Sequence, residues 1–252
     1  MDWLHALILG VVQGCTEFFP ISSSAHLKIF KSWLSIPAGE ETVIFDLACH
    51  VGTVIALVVF FRKDLYEIFF VQPKKILLYL AALLPLIPAY FLLSPIRLWA
   101  SQPRFLGACL LITALLLFAL SRIRKGSTES PTWKDAFWIG TMQSVALIPG
   151  ISRSASTITG GVWRGLSVRE AVRFSFILSI PAALGGTFLE TVKLVGQPVI
   201  AFDTTACFIG LGVSALVGLG VVRFAVPLLE KGVFRPFAWY CLIVAILLTV
   251  VI

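Results

Sequence analysis

The chain alternates long apolar runs with short polar breaks. Runs at 42–61, 76–93, 105–120, 174–189, 206–222 and 237–252 each approach the ~20 residues that a helix needs to cross a bilayer core. These six are the predicted membrane spans. Two further apolar stretches behave differently. Residues 9–25 read LGVVQGCTEFFPISSSA and residues 139–155 read IGTMQSVALIPGISRSA. Aligned without a gap, Gly10 meets Gly140, Gln13 meets Gln143, Ile21 meets Ile151, Ser22 meets Ser152, Ser24 meets Ser154 and Ala25 meets Ala155. Both stretches are apolar, break at a proline (Pro20, Pro149) and restart on a serine cluster. Broken, polar backbone at membrane depth is costly unless it lines a buried site. A duplicated pair of such breaks points to a site at the midplane between two inverted repeats.

Charge refines the topology. Basic residues gather in the loops 62–75 (Arg62, Lys63, Lys74, Lys75), 121–135 (Arg122, Arg124, Lys125, Lys134) and 223–236 (Arg223, Lys231, Arg235). The loops at 94–104 and 190–205 carry few. The first three are therefore expected on the cytoplasmic side and the last two outside. Segment 121–173 then begins and ends on one side, so it enters and exits as a re-entrant hairpin, and by the same logic so does 1–41. The predicted fold is an all-α integral membrane protein of inverted-topology repeat, each half one re-entrant helical hairpin plus three transmembrane helices. The first repeat is 1–125, with hairpin 1–41 and spans 42–61, 76–93 and 105–120. The second is 126–252, with hairpin 133–165 and spans 174–189, 206–222 and 237–252. Pro85 and Pro88 are expected to kink the run 76–93. The four-residue spacing of Gly210, Ser214 and Gly218 suggests close helix packing, with a substrate path as the alternative.

Composition agrees. Hydrophobic residues make up 58% of the chain and charged residues 13%, far from the soluble balance. The net charge of +7 is spread over orienting loops, which argues against a nucleic-acid partner. The five cysteines sit in apolar segments without metal-like spacing and read as small buried hydrophobes.

Chemistry concentrates at the two breaks. Gln13 and Glu17 stand four apart on one helix face, and a carboxylate inside a membrane segment is a functional hypothesis by default. Ser22, Ser23 and Ser24 open the next helix, where serines cap and free N–H groups bind anions. His26 follows Ser23 by three residues, close enough for an imidazole to activate a hydroxyl. The alternative is that the serines only cap. At the second break, Gly150, Ser152, Arg153 and Ser154 place a guanidinium at another helix start. Its expected partner is a phosphate or carboxylate, with an internal pair to Glu17 as the alternative. Asp46 and His50, four apart, are either supports of this site or a structural polar pair.

At these residues the chain resembles the undecaprenyl-pyrophosphate phosphatases, the BacA-type bacitracin-resistance family. QGCTEFFPISSSAH (13–26) fits the family's (E/Q)xxxE segment with its following PxSSxxH, and PGISRSAST (149–157) fits its PGxSRSxxT motif. The resemblance covers the whole chain. It implies hydrolysis of C55-isoprenyl pyrophosphate in the bacterial inner membrane, recycling the lipid carrier of cell-wall synthesis, at a site opening externally and needing Mg²⁺ or Ca²⁺. By position it makes Ser23 a nucleophile candidate, His26 the acid or base, Glu17 the metal or proton partner and Arg153 the phosphate clamp. Gln13, Ser22, Ser24, Gly150, Ser152, Ser154 and Thr157 are the expected phosphate-binding residues. Many relatives carry Glu where this chain has Gln13, and a neutral amide is neither base nor charged ligand, so that burden moves to Glu17 and His26. A secondary transporter or lipid flippase for a phosphorylated substrate is the rival reading, because inverted repeats with broken helices are transporter architecture. A Ser–His–Glu set beside an arginine exceeds what binding alone requires. Covalent intermediate, chain-length preference and oligomeric state stay open at this level.

Overall fold

The computed structural model describes residues 1–37, 39–123, 126–195 and 203–251, and these contain helices and no strands. Arg124 and Lys125 of the expected linker, residues 196–202 of the expected external loop and Ile252 lie outside the described residues. Among the described residues, five helical segments are long and apolar enough to cross a membrane: Thr42–Phe60, Pro73–Leu92, Pro103–Arg122, Val168–Leu194 and Thr204–Glu230. That is the make-up of a helical integral membrane protein.

The chain opens with α1 (Trp3–Thr16), whose N-cap Asp2 accepts a hydrogen bond from the His5 amide at 2.7 Å. A break follows, then α2 (Ser23–Trp33), then α3 (Glu40–Phe60). A short α4 (Arg62–Tyr66), one π-helical turn and one 3₁₀ turn lead into α5 (Ile76–Leu83). Pro85 acts as expected: the run breaks at Leu84–Pro85 and resumes as α6 (Leu86–Leu92), which carries Pro88 inside it without a second break. The predicted loop 94–104 contains a further helix, α7 (Ser94–Ala100), before α8 (Pro103–Arg122).

The remaining helices span a second break. α9 (Trp133–Val145) starts on a capping box between Thr132 and Asp135. After its break come α10 (Arg153–Trp163), α11 (Val168–Val195), α12 (Thr204–Glu230) and α13 (Arg235–Val251). α11 begins six residues before the expected span and α12 extends beyond it. Arg169, Arg173 and Arg223 therefore ride on helices rather than in loops, because nothing in their neighbourhood stops the helix.

Packing sets these elements around a centre. α12 packs on α1 and α3, α13 on α8, and α9 on α5 and α10. The Gly210–Ser214–Gly218 stripe serves packing: a Cβ on Gly210 would meet the Phe45 ring at 2.5 Å, and Ser214 Oγ donates to the Cys49 carbonyl at 2.9 Å. Gly140 lies against α5 so closely that a Cβ there would stand 2.0 Å from the Ala82 carbonyl oxygen. Phe18, Phe61, Phe174 and Phe176 fill the middle of the main core. Cys49, Cys109 and Cys241 are buried and none of the five cysteines is bridged. Outward-facing residues such as Leu77, Phe91, Leu216 and Val250 remain exposed, as a surface covered by lipid would be.

The polar ends sort by position. At one end Arg173 pairs with Asp64, Arg164 Nε with Asp135 at 2.7 Å, and Ser167 with Thr128. At the other, Lys28 Nζ donates to the Ser101 carbonyl at 3.2 Å and Lys31 Nζ to Asp46 at 2.6 Å.

Candidate active site

Both breaks are built by the local sequence. Pro20 has no N–H to continue the α1 ladder, and the turn passes through Ser22 at φ 67° before α2 begins. This is a left-handed conformation rarely held by a residue with a side chain. The second break follows Pro149 and uses Gly150 at φ 97° instead. Only glycine serves there, since a Cβ would also stand 2.6 Å from Cys109 Cβ. Ser152 then caps α10, accepting from the Ala155 amide at 3.3 Å. α8 braces this turn: Thr113 Oγ1 donates to the Gly150 carbonyl at 3.2 Å and accepts from the Ser152 amide at 3.0 Å.

The two breaks meet. The Gly150 amide donates to Ser24 Oγ at 3.4 Å, and Arg153 Nη2 donates to Glu17 Oε1 at 2.7 Å. Glu17 is the focus. Its Oε2 also accepts from Ser23 Oγ at 2.6 Å and from Gln13 Nε2 at 2.9 Å. The Glu17 and Arg153 side chains are 10% and 21% exposed. In such surroundings a charge is held by partners of opposite charge and by hydrogen bonds. His50 joins them, its Nε2 4.0 Å from Glu17 Oε2 and its Nδ1 bonded to the Asp46 carbonyl at 2.7 Å. Of the Asp46–His50 pair, then, the histidine supports the site, while the Asp46 carboxylate turns to Lys31.

A cavity of about 320 Å³ opens onto this group. Glu17, Ser22, Ser23, Ser24, Ser152, Arg153 and Ser154, all named from the motifs, line it, and so does His50. Gln13, His26, Gly150 and Thr157 do not line it. Gln13 acts through Glu17, Gly150 through the turn, and Thr157 Oγ1 bonds Ser175 Oγ at 2.6 Å and the Arg153 carbonyl at 2.9 Å. His26 differs from expectation. Ser23 stands on the first turn as predicted, but its hydroxyl turns to Glu17. The His26 ring is occupied on both nitrogens, by the Ser22 carbonyl at 2.8 Å and by Tyr240 Oη at 2.7 Å. The predicted Ser23–His26 contact is thus replaced by a Ser23–Glu17 contact and a His26–Tyr240 contact, because α13 supplies a stacked tyrosine.

Sequence reasoning missed this Tyr240, 214 positions from its partner, and no local signal marks it. It also missed the outer rim. There Tyr90 Oη donates to Glu190 Oε1 at 2.8 Å, Arg97 Nη2 approaches the same oxygen at 3.4 Å, and the Arg97 guanidinium lies 4.3 Å from the Tyr90 ring centre. Glu190 falls just past the predicted span 174–189, and only the continuation of α11 to Val195 places it on a helix.

Fold and site together define a multi-span helical membrane protein whose buried Glu–Arg pair stands where two broken helix pairs meet. The model of the family described as bacitracin resistance protein BacA matches residues 6–247, and the chain belongs to that family. The chain is also similar to proteins named undecaprenyl-diphosphatase. With the one from Protochlamydia amoebophila it shares 35% identity over 248 residues, covering 97% of this chain and 96% of that protein. With that from Geotalea daltonii it shares 37% over 257 residues (95% and 94%). With that from Thermodesulfovibrio yellowstonii it shares 36% over 256 residues (98% and 98%).

Proposed function

We propose that this protein is an undecaprenyl-diphosphatase: it hydrolyses undecaprenyl pyrophosphate to undecaprenyl phosphate and inorganic phosphate, returning the lipid carrier to cell-wall synthesis and giving resistance to bacitracin. The observation that carries the reading is the Glu17 carboxylate held by Ser23, Gln13 and Arg153 on the wall of a cavity, within a chain that matches the family over residues 6–247. The cavity is at the small end of ligand sites. It suits a pyrophosphate headgroup, with the prenyl chain left in lipid.

In this reading Arg153 takes the terminal phosphate, for which a planar fork is suited. Ser23 Oγ attacks the terminal phosphorus while Glu17 accepts its proton. The bond to the bridging oxygen breaks and undecaprenyl phosphate leaves. Water then cleaves the seryl phosphate, releasing inorganic phosphate and returning the proton to Ser23. His26, held by Tyr240, positions the start of α2 rather than the proton.

The charges bear on a divalent cation. Glu17, Glu190, Arg97 and Arg153 line the cavity and cancel formally, so a pyrophosphate would enter with its own charge unbalanced. Glu17, on the cavity wall, is a hard oxygen donor. It would be one ligand of a Mg²⁺ or Ca²⁺ ion that takes its other ligands from phosphate and water. Such an ion supplies charge neutralisation to the phosphates.

We also read the halves 1–125 and 126–252 as inverted repeats, each a re-entrant hairpin with three spans. Several pairs of contacts support this. Gly10 and Gly14 pack on α12 as Gly140 packs on α5, and Ser22–Ser24 and Ser152–Ser154 hydroxyls both lie 3.2 Å apart. In an inner bacterial membrane the basic loops would face the cytoplasm and the Tyr90–Arg97–Glu190 rim the outside.

The test is phosphate release by purified protein in detergent, from farnesyl and undecaprenyl pyrophosphate, with and without Mg²⁺ or Ca²⁺. Metal-dependent release supports the reading. No release under any metal, with lipid movement in sealed vesicles, would replace it by a flippase.

A further inference from the structure

Gln143 stands at the last turn of α9, one helix turn before the second break. It is 2% exposed, lines the cavity, and neither end of its amide has a hydrogen-bond partner among the described residues. Its counterpart in the first half, Gln13, donates to Glu17, so the two matching positions have diverged in what they hold. A second orphan shares the cavity. Arg153 gives Nη2 to Glu17, but its Nη1 has no partner among the described residues. A buried polar group left unpaired costs more than a leucine of similar volume in its place. Two such groups lining one cavity are suited to a ligand with acceptor oxygens.

We propose that Gln143 is a phosphate-binding residue: its Nε2 donates to an oxygen of the terminal phosphate that Arg153 Nη1 also holds, and its Oε1 accepts from a protonated phosphate oxygen or a phosphate-bound water. Arg153 supplies charge and Gln143 direction. The neutral amide contributes both a donor and an acceptor without altering the charge balance between Glu17 and Arg153. The assignment rests on the hydrolase reading for the identity of the phosphate, though not for its presence.

Three measurements on wild type and Gln143→Leu test it: KM and kcat with farnesyl pyrophosphate, the melting temperature without ligand, and the rise in melting temperature caused by inorganic pyrophosphate with Mg²⁺. Gln143→Leu is expected to melt at or above the wild-type temperature, to lose the pyrophosphate-induced rise, and to raise KM by about tenfold to a hundredfold, the range for a hydrogen bond to a charged group. A purely structural glutamine would instead lower the unliganded melting temperature and leave KM and the pyrophosphate effect intact, which overturns the proposal. Should Gln143→Leu fail to fold, Gln143→Met carries the same comparison. Wild type that releases no phosphate, yet melts higher with pyrophosphate in a way Gln143→Leu does not, would refute the hydrolase reading and keep the phosphate site.

Discussion

The two breaks share a pattern of residues and differ in how they hold it. At the first, the left-handed turn falls on Ser22, a residue with a side chain, and no side-chain cap bonds the start of α2. At the second, it falls on Gly150, Ser152 caps α10, and Thr113 ties the turn to α8. Strain is thus concentrated at the break that carries Glu17 and Ser23, and relieved at the break that carries Arg153. Backbone held in a sparsely populated conformation persists where the surroundings enforce it, commonly at reactive sites. The two breaks share a residue pattern and present different groups. One presents a carboxylate and a hydroxyl, the other a guanidinium on a braced turn.

The largest effect is expected where the halves join. Glu17→Gln removes the base and the counter-charge of Arg153 together, and turnover should fall on the order of 10³-fold or more. Full activity across a metal titration would show that the first break does not carry the proton chemistry. Next is Arg153→Lys. It keeps the charge but loses the fork that reaches both Glu17 and a phosphate, so kcat/KM should drop on the order of 10²-fold. Near-normal kinetics would leave the second break a scaffold only.

Smaller effects separate strain from bracing. Gly150→Ala forces a side chain into the left-handed region and against Cys109, and should cost about 2 kcal/mol or more of stability, read as a lowered melting temperature. Ser22→Gly should do the opposite, raising stability by about 1 kcal/mol. If Ser22→Gly leaves the melting temperature unchanged, the first break is not strained and the contrast fails. The mildest change is Tyr240→Phe. It leaves His26 one bond short, at about 1 kcal/mol, with turnover reduced only a few-fold. A collapse of kcat at unchanged melting temperature would return His26 to the chemistry.

Much was legible in the chain because its signals are local. Apolar run length marked α3, α8, α12 and α13 to within a few residues at most of their ends, although α12 continues to Glu230. Pro85 marked the break between α5 and α6, and the aligned breaks marked Glu17, Ser23 and Arg153. What misled was also local. Ser23 and His26 are neighbours along the chain and on the helix surface, yet each found a better partner from another element. α7 was invisible because seven residues with one arginine do not resemble a span.

By itself, the sequence determined that the chain is helical and lipid-embedded, that its polar groups collect at two repeated breaks, and which residues those are. Periodicity, proline and the cost of unpaired backbone in lipid act over a few residues, and a reader of the chain sees them directly. Tertiary structure alone decided which polar groups pair. Glu17 takes Arg153 from 136 positions away, His26 takes Tyr240, His50 turns toward Glu17, and Gln143 is left without a partner among the described residues. Those choices follow from which helices touch and how deep each group is buried. With little water to satisfy them, a hydrogen bond goes to whichever donor the packing brings within 3 Å or so, and spacing along the chain carries no record of that.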